Sequence, residues 1–175
     1  MATTLNSTGV LFPGGTQRTT ALSYNYRNRA IFGYGNNLAA PYSSVSNQVS
    51  NTGVVSLDYT GVGTVRSTLA AAGYGGDKAI FGYGISSGGI AVSLTNLVSN
   101  TGVVATDASG VGTARNGLAA AGYGGDKAIF GYGFRSSNFT VTSITNLISN
   151  TGAVGNDVTG VGTARYTLAA AGYSS

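Results

Sequence analysis

Asp126-Lys127-Ala128-Ile129-Phe130-Gly131-Tyr132-Gly133 decides the fold of this chain, because the same eight residues already stand at Asp77 to Gly84. A close variant, Arg29-Ala30-Ile31-Phe32-Gly33-Tyr34-Gly35, stands further upstream. The two identical copies follow Gly73-Tyr74 and Gly122-Tyr123, and Tyr26 holds the corresponding place before the variant. Each copy leads into a segment that differs between copies and then into Asn-Thr-Gly, at Asn51, Asn100 and Asn150. One unit of about 49 residues is therefore written three times, at 27–76, 77–125 and 126–175, a period typical of propeller blades and related arrays.

Working outward from the octapeptide, Leu118 to Tyr123 is an apolar run, Gly124-Gly125-Asp126 is a turn, and Ala128 to Tyr132 is a second run. Two such runs joined by a glycine turn predict a β-hairpin. The first strand is built almost wholly of Ala and Gly, which are poor strand formers by propensity. Their repeated use predicts crowding, with other backbones too close for larger side chains. The second strand carries the bulk: Ile129 and Phe130 point to opposite faces and are expected to be core if both faces are covered. A third strand is expected at Thr95 to Ser99, closed by Asn100-Thr101-Gly102, and a fourth around Val103-Val104. Asp58-Tyr59-Thr60-Gly61, Asp107 to Gly110 and Asp157 to Gly160 match type I turn preferences. No long window shows apolar residues at helical spacing without Gly. The fold class expected is all-β, about three antiparallel sheet repeats.

The chain begins with a truncated unit, residues 1–26. Val10-Leu11-Phe12 reads as a strand and Pro13-Gly14-Gly15 as a turn. Thr16-Gln17-Arg18 corresponds to Thr64-Val65-Arg66, and Tyr26 follows Arg18 as Tyr74 follows Arg66.

Composition removes several functions. There is no Cys and no His, which excludes disulfides, thiolate chemistry and every His-based triad or metal set. Glu is absent and five Asp are the whole stock of side-chain carboxylates, all at recurring turn positions, which leaves little means of pairing an acid with a base. No enzyme and no cofactor are expected. The net charge of +4 comes from scattered basic residues, whereas nucleic-acid binding requires a clustered patch. Arg66, Arg115 and Arg165 recur in register, which predicts a structural role: bonding carbonyls or pairing with an Asp of the same or a neighbouring unit. Gly-Val-Gly-Thr strings lack the Lys-Ser/Thr of a phosphate loop. One Asp per turn is thin for Ca2+, which gathers several oxygens. The N-terminus lacks the basic start and apolar core of a secretory signal, and no apolar run reaches the ~20 residues of a membrane span. No membrane insertion is expected.

Two resemblances follow from these residues. Gly9-Val10-Leu11-Phe12-Pro13-Gly14-Gly15-Thr16-Gln17-Arg18-Thr19-Thr20-Ala21 resembles a motif of tail-fibre and other virion proteins of tailed bacteriophages, departing from it at Gly14, where Asp is usual, and at the inserted Arg18. Residues 27–175 resemble kelch repeats, the four-stranded blades of a β-propeller. Ile129-Phe130-Gly131-Tyr132-Gly133 stands near the kelch di-glycine, Thr145-Asn146-Leu147-Ile148-Ser149-Asn150-Thr151 near its Asn segment, and Arg165 near its Arg. The kelch Trp is missing from every unit, and Tyr interrupts the Gly pair. The resemblances imply a propeller-like domain at 27–175 behind an attachment segment at 1–26, in a structural virion component assembled in the host cytoplasm. Its implied partners are itself and other virion proteins. The alternative is a glycan-binding propeller, a lectin that contacts host-surface sugars.

Recurring Tyr34, Tyr83 and Tyr132, like Tyr74, Tyr123 and Tyr173, are expected to pack. Aromatics that do not recur are freer to recognise something: Tyr42, Tyr59, Phe134, Phe139 and Tyr166. Phe134, Arg135, Asn138 and Phe139 share one variable loop, and loops on a rigid scaffold are where binding sits. Subunit packing is the equal alternative for these residues. Three units leave open sheet edges, which proteins normally hide, and both termini carry the same half-unit. A closed ring of two chains, a three-fold fibre array, or a β-trefoil-like closure of one chain are the possible solutions, and a homo-oligomer is expected.

Overall fold

The computed structural model of the chain describes residues 4–6, 9–11, 17–18, 28–37, 39 and 41–173. Phe12, the Pro13-Gly14-Gly15 turn, Thr16 and Tyr26 lie outside them. The described residues are all-β, with no helix and only antiparallel strand pairs. In chain order the strands are β1 (Thr4–Asn6), β2 (Gly9–Leu11), β3 (Gln17–Arg18), β4 (Ala30–Gly35), β5 (Ser43–Val49), β6 (Arg66–Ser67), β7 (Ala70–Tyr74), β8 (Lys78–Gly82), β9 (Ile85–Ser86), β10 (Thr95–Val98), β11 (Ala119–Tyr123), β12 (Lys127–Arg135) and β13 (Thr140–Ile148). They form four sheets, ordered β1-β2-β3, β4-β5-β6-β9, β7-β8-β10 and β11-β12-β13.

The expected hairpin stands at β11–β12, with Tyr123 opposite Lys127 and Ala119 opposite Gly131. Its turn works because Gly124 and Gly125 both take left-handed φ, 59° and 80°, a conformation that opposes any side chain. The same hairpin recurs at β7–β8, with Tyr74 opposite Lys78.

The octapeptide strand is interrupted at its tyrosine. The β12–β13 register shifts between Gly131 and Gly133, as the β4–β5 register does between Gly33 and Gly35. The tyrosine sits at the irregularity with φ near +65° in every copy: 63° at Tyr34, 65° at Tyr83 and 65° at Tyr132. Left-handed backbone costs a non-glycine residue about 1–2 kcal/mol. A bulge re-aims its side chain, and here it turns the phenol off the sheet toward the next Arg.

The core lies where the β7-β8-β10 and β11-β12-β13 sheets meet. Ala70, Tyr74, Ile80, Tyr83, Leu118, Ala128, Phe130 and Ile148 form one buried cluster. β7 lies against both β11 and β12, so the small-residue strands are crowded as expected. Further along, a Cβ on Gly172 would stand 2.4 Å from the Gly122 carbonyl oxygen.

Three expectations need correcting. Tyr74 is buried, but its counterparts Tyr123 and Tyr173 are 41% and 96% exposed and do not pack as expected. The fourth strand around Val103-Val104 is not a strand; the segment touches its neighbour through isolated bridges, Val98 to Val104 and Thr95 to Ala108. The reason is Asn96, whose side-chain amide donates to the Ala105 carbonyl at 3.0 Å between those bridges. Asn47 and Asn146 do the same to Ser56 and Gly155. Nor are Ile and Phe core in every unit. Ile80 and Phe81 are both buried, but Phe32 is 63% exposed. Phe81 packs on Gly33 and Phe130 on Gly82. Among the described residues no glycine faces Phe32 in that way.

Candidate functional site

Two constellations carry the chain's non-trivial chemistry: the junction that each unit makes with the next, and an aromatic cluster at the end of the third.

The junction is built on the recurring arginine. Arg115 is fully buried. Its Nε donates to the Tyr132 carbonyl at 2.8 Å, Nη1 to the Thr113 carbonyl at 3.0 Å, and Nη2 to Asn146 Oδ1 at 2.7 Å. The guanidinium carbon lies 4.3 Å from the Tyr83 ring centroid, a cation–π geometry. Burial lowers the pKa of Arg115, with the Tyr83 hydroxyl opposing that shift. Asn146 is thus a bridge: its oxygen takes the arginine of the preceding unit, and its amide holds Asp157 Oδ1 at 3.0 Å. Asp157 reaches back to the preceding unit's turn and accepts from Thr113 Oγ1 at 2.6 Å and from Thr113 N at 3.1 Å. Tyr83 completes the junction: its hydroxyl donates to the Val111 carbonyl at 3.0 Å, and its ring meets Phe130 edge-on at 5.1 Å.

The preceding junction has the same parts. Arg66 is fully buried, donates to Asn96 Oδ1 and lies over the Tyr34 ring at 4.8 Å. Asp107 accepts from Thr64 Oγ1 at 2.6 Å and from Asn96 Nδ2 at 2.9 Å. Phe81 meets Tyr34 edge-on at 5.2 Å. One difference is that Arg66 Nε and Nη1 are buried with no hydrogen-bond partner among the described residues. The arginine therefore bonds carbonyls, as expected for Arg115, but its side-chain partner across the junction is an asparagine. The expected Asp pairing is absent among the described residues, whose ion pairs join the neighbours Asp77 and Lys78, and Asp126 and Lys127.

These contacts make the junction acid-sensitive. Burial raises the Asp107 and Asp157 pKa values, but the hydrogen bonds from threonine and asparagine and the nearby arginine outweigh it, and both carboxyls titrate below the usual range. A carboxyl depressed in the folded state adds stability that is complete above its unfolded pKa, about 3.9, and disappears as pH falls through the folded pKa. Urea midpoints are expected to fall from pH 5 toward pH 3, with a shallower fall in Asp107→Asn. Equal pH slopes for the two proteins would contradict this.

The second constellation gathers most of the aromatics that do not recur. β12 continues past its bulge to Arg135, and four residues turn it into β13. Phe139 ends the turn, 83% exposed with φ 53°. Its ring lies 6.3 Å from Phe134, which lies 5.5 Å from Tyr166. Phe134 is fixed by a pair of backbone hydrogen bonds with Asn116, at 2.9 and 2.8 Å. Asn138 is exposed and its side chain accepts from Thr140 Oγ1 at 2.7 Å. Arg135 is half-buried, and its Nε is buried without a hydrogen-bond partner among the described residues. So Phe134, Arg135, Asn138, Phe139 and Tyr166 stand on one end of the third unit. Tyr42 and Tyr59 stand instead on the first unit: Tyr42 is half-buried before β5, and Tyr59 is half-exposed and bridged to Ser46. Neither makes a ring contact with that cluster among the described residues.

Recurrence at fixed spacing marked the arginines and tyrosines in the sequence. It equally marks Asn96 and Asn146, Asp107 and Asp157, and Thr64 and Thr113, whose pairing across units sequence reading missed. A cleft of about 320 Å3 between β4 and β7 is lined by Ala30, Ile31, Ala71, Ala72 and Gly73, together with the polar Gln48 and Lys78. Among the described residues no three carboxylates or other ligating side chains gather to hold a metal ion. No helix there is long and apolar enough to cross a membrane. No protein-family model matches the chain, and no curated protein matches it.

Proposed function

We propose that the chain is a non-enzymatic structural component of a tailed-bacteriophage virion, a fibre, appendage or decoration subunit, assembled in the host cytoplasm. The observation that carries this reading is the use of the polar groups at the unit boundaries. Arg66, Arg115, Asn96, Asn146, Asp107 and Asp157 are all spent on holding one unit to the next. Junctions that consume these arginines, asparagines and aspartates give stiffness and assembly rather than turnover. The phage-like segment at Gly9 to Ala21 supplies the place. Its partners are further copies of itself and other virion proteins. The units are kelch-like blades, and a homo-oligomer completes the propeller that three of them leave open. Nucleic acid is not a partner on this reading, because two of the recurring arginines are buried in junctions. Mass spectrometry of purified particles is expected to find the protein in stoichiometric amounts; its absence from them removes the reading.

One observation favours a second reading, a glycan-binding propeller. Phe139 and Tyr166 present exposed ring faces beside Asn138 and Arg135. Aromatic faces stack on the apolar faces of sugar rings, and amide or guanidinium groups bond their hydroxyls. A glycan array probed with the native protein and with Phe139→Ala tests it. Equal signals from the two proteins, or none from either, would remove this reading.

A further inference from the structure

The two inner junctions define what a complete contact contains. The later unit contributes a Phe, an Asn and an Asp. The earlier unit contributes a Gly that receives the Phe ring, a Tyr-Arg stack beside it, and a Thr that donates to the Asp. Phe81, Asn96 and Asp107 meet Gly33, Tyr34, Arg66 and Thr64. Phe130, Asn146 and Asp157 meet Gly82, Tyr83, Arg115 and Thr113.

Each end of the domain displays one half of this set. The third unit carries an assembled receiving half. Arg165 lies 4.3 Å from the Tyr132 ring centroid, and the Tyr132 hydroxyl donates to the Val161 carbonyl at 3.0 Å, as in the inner junctions. Yet Arg165 and Thr163 are exposed, where Arg66 and Arg115 are fully buried. A Cβ on Gly131 would meet only Thr145 Cγ2, at 3.4 Å, whereas on Gly33 and Gly82 it would run into a phenylalanine ring, at 2.8 and 2.5 Å. The first unit carries the entering half: Phe32 is 63% exposed, Asp58 is exposed, and Asn47 already bonds Asp58 at 2.7 Å, as Asn96 bonds Asp107.

We propose that the chain assembles head-to-tail with further copies of itself, Phe32 of one copy seating on Gly131 beside Tyr132 of the next. This deepens the reading of the chain as a structural subunit and rests on the same junctions, but it needs no virion. Asn47 then accepts from Arg165, and Asp58 from Thr163. The same placement brings the small-residue segment 168–172 to the β4 edge, at the cleft between β4 and β7. This is a heterologous interface, which gives rings when its rotation closes and filaments when it does not. The contact is a continuation of one the chain makes twice within itself, so its geometry needs nothing new. The other candidate occupant is the chain's own start. Thr16 and Arg18 match Thr64 and Arg66 in sequence and carry the same kinds of donor group. That segment has no Ile-Phe-Gly-Tyr-Gly, so it has no glycine socket to offer Phe32.

Sedimentation velocity and light scattering on the full chain test this, over a range of concentrations. The wild type is expected to associate. Phe32→Asp and Gly131→Ala are each expected to sediment as monomers with unchanged circular dichroism, association weakened at least tenfold. Gly131 has an ordinary negative-side backbone and room for a methyl group, so its variant isolates the blocked socket from any folding defect. Mixing the two variants is decisive. Each keeps one good end, so a 1:1 mixture must form a dimer that grows no further. A monomeric wild type, variants that associate like the wild type, or a mixture that stays monomeric would each overturn the proposal. Particle mass spectrometry reports on virion membership independently, so failure of one reading is distinguishable from failure of the other.

Discussion

Arg115→Ala is expected to destabilise the fold by about 3–5 kcal/mol, the upper range of single substitutions, reached when a buried hydrogen-bond network is broken. Three causes combine. The guanidinium gives up three hydrogen bonds, to the Tyr132 and Thr113 carbonyls and to Asn146. Hydrogen bonds from a charged donor contribute roughly 1.5–3 kcal/mol each, not additively. The acceptors left behind lose a partner in a site closed to water. The Tyr83 face loses a cation 4.3 Å away, about 0.5–2 kcal/mol. Set against a typical total of about 5–15 kcal/mol, the change removes much of the protein's stability, and the thermal midpoint should fall by roughly 10 °C. Arg165→Ala, made in the Gly131→Ala background so that no second copy covers the end, is the internal control. It removes the same residue from the same place in the unit, but from an exposed site, and should cost under about 1 kcal/mol. Equal losses for the two arginines in urea titrations would mean that the buried junction is not what Arg115 stabilises.

Phe130→Ala is the second large effect, about 3–5 kcal/mol. The ring is completely buried between Gly82 and Tyr83, and neither neighbour can collapse into the space: one has no side chain, the other is held by its hydroxyl bond to Val111. Phe32→Ala, at an exposed site of the same sequence, should stay within about 0.5 kcal/mol in the monomer. The partner change tests the fit from the other side. In Gly82→Ala the new methyl would stand 2.5 Å from Phe130 Cζ, an overlap expected to cost about 1–3 kcal/mol. Combining Gly82→Ala with Phe130→Leu should cost less than the sum of the two, because the shorter side chain frees the volume that the methyl needs. Additive losses in that cycle would show that Gly82 and Phe130 do not meet as described.

These contrasts also explain what the sequence disclosed. The 119–123/127–131 hairpin was legible because its information is local: a glycine turn between two short runs, with strand alternation on either side. All-β class followed from the same patterns and from glycines too frequent for helices. The role of the arginines was half legible. Recurrence said that Arg115 serves the architecture, and carbonyl bonding was anticipated, but Asn146 lies too far along the chain for any local pattern to name it. The supposed strand at Val103-Val104 failed because an asparagine side chain does what strand pairing was expected to do, and propensity does not register that. The octapeptide itself misled in one respect. β8 ends at Gly82 whereas β12 runs on to Arg135, since the residues that follow differ: Phe134 and Arg135 pair with Val141 and Thr140 of β13, whereas Ile85 meets the returning chain only through an isolated bridge to Ala91. Among the candidate recognition residues, lack of recurrence marked Phe134, Phe139 and Tyr166, which the structure brings together on one end. It could not separate them from Tyr42 and Tyr59, which have the same sequence signature on a different unit. Above all, identical strings concealed unlike environments. Phe32, Phe81 and Phe130 read alike, and only the neighbour beyond each one decides whether it is core or surface.

The interchangeability of the junctions bears on how such a gene can change. Excising residues 77–125 would present Phe130 to Gly33, Asn146 to Arg66 and Asp157 to Thr64, each a pairing that the intact protein already makes between other neighbours. The identical stretches at 77–84 and 126–133 are natural points for recombination between misaligned copies. Loss or gain of a whole unit therefore alters length and the set of displayed loops while leaving every interior contact chemically unchanged. Unit number is a quantity that selection can adjust in single steps, with no intermediate that folds badly.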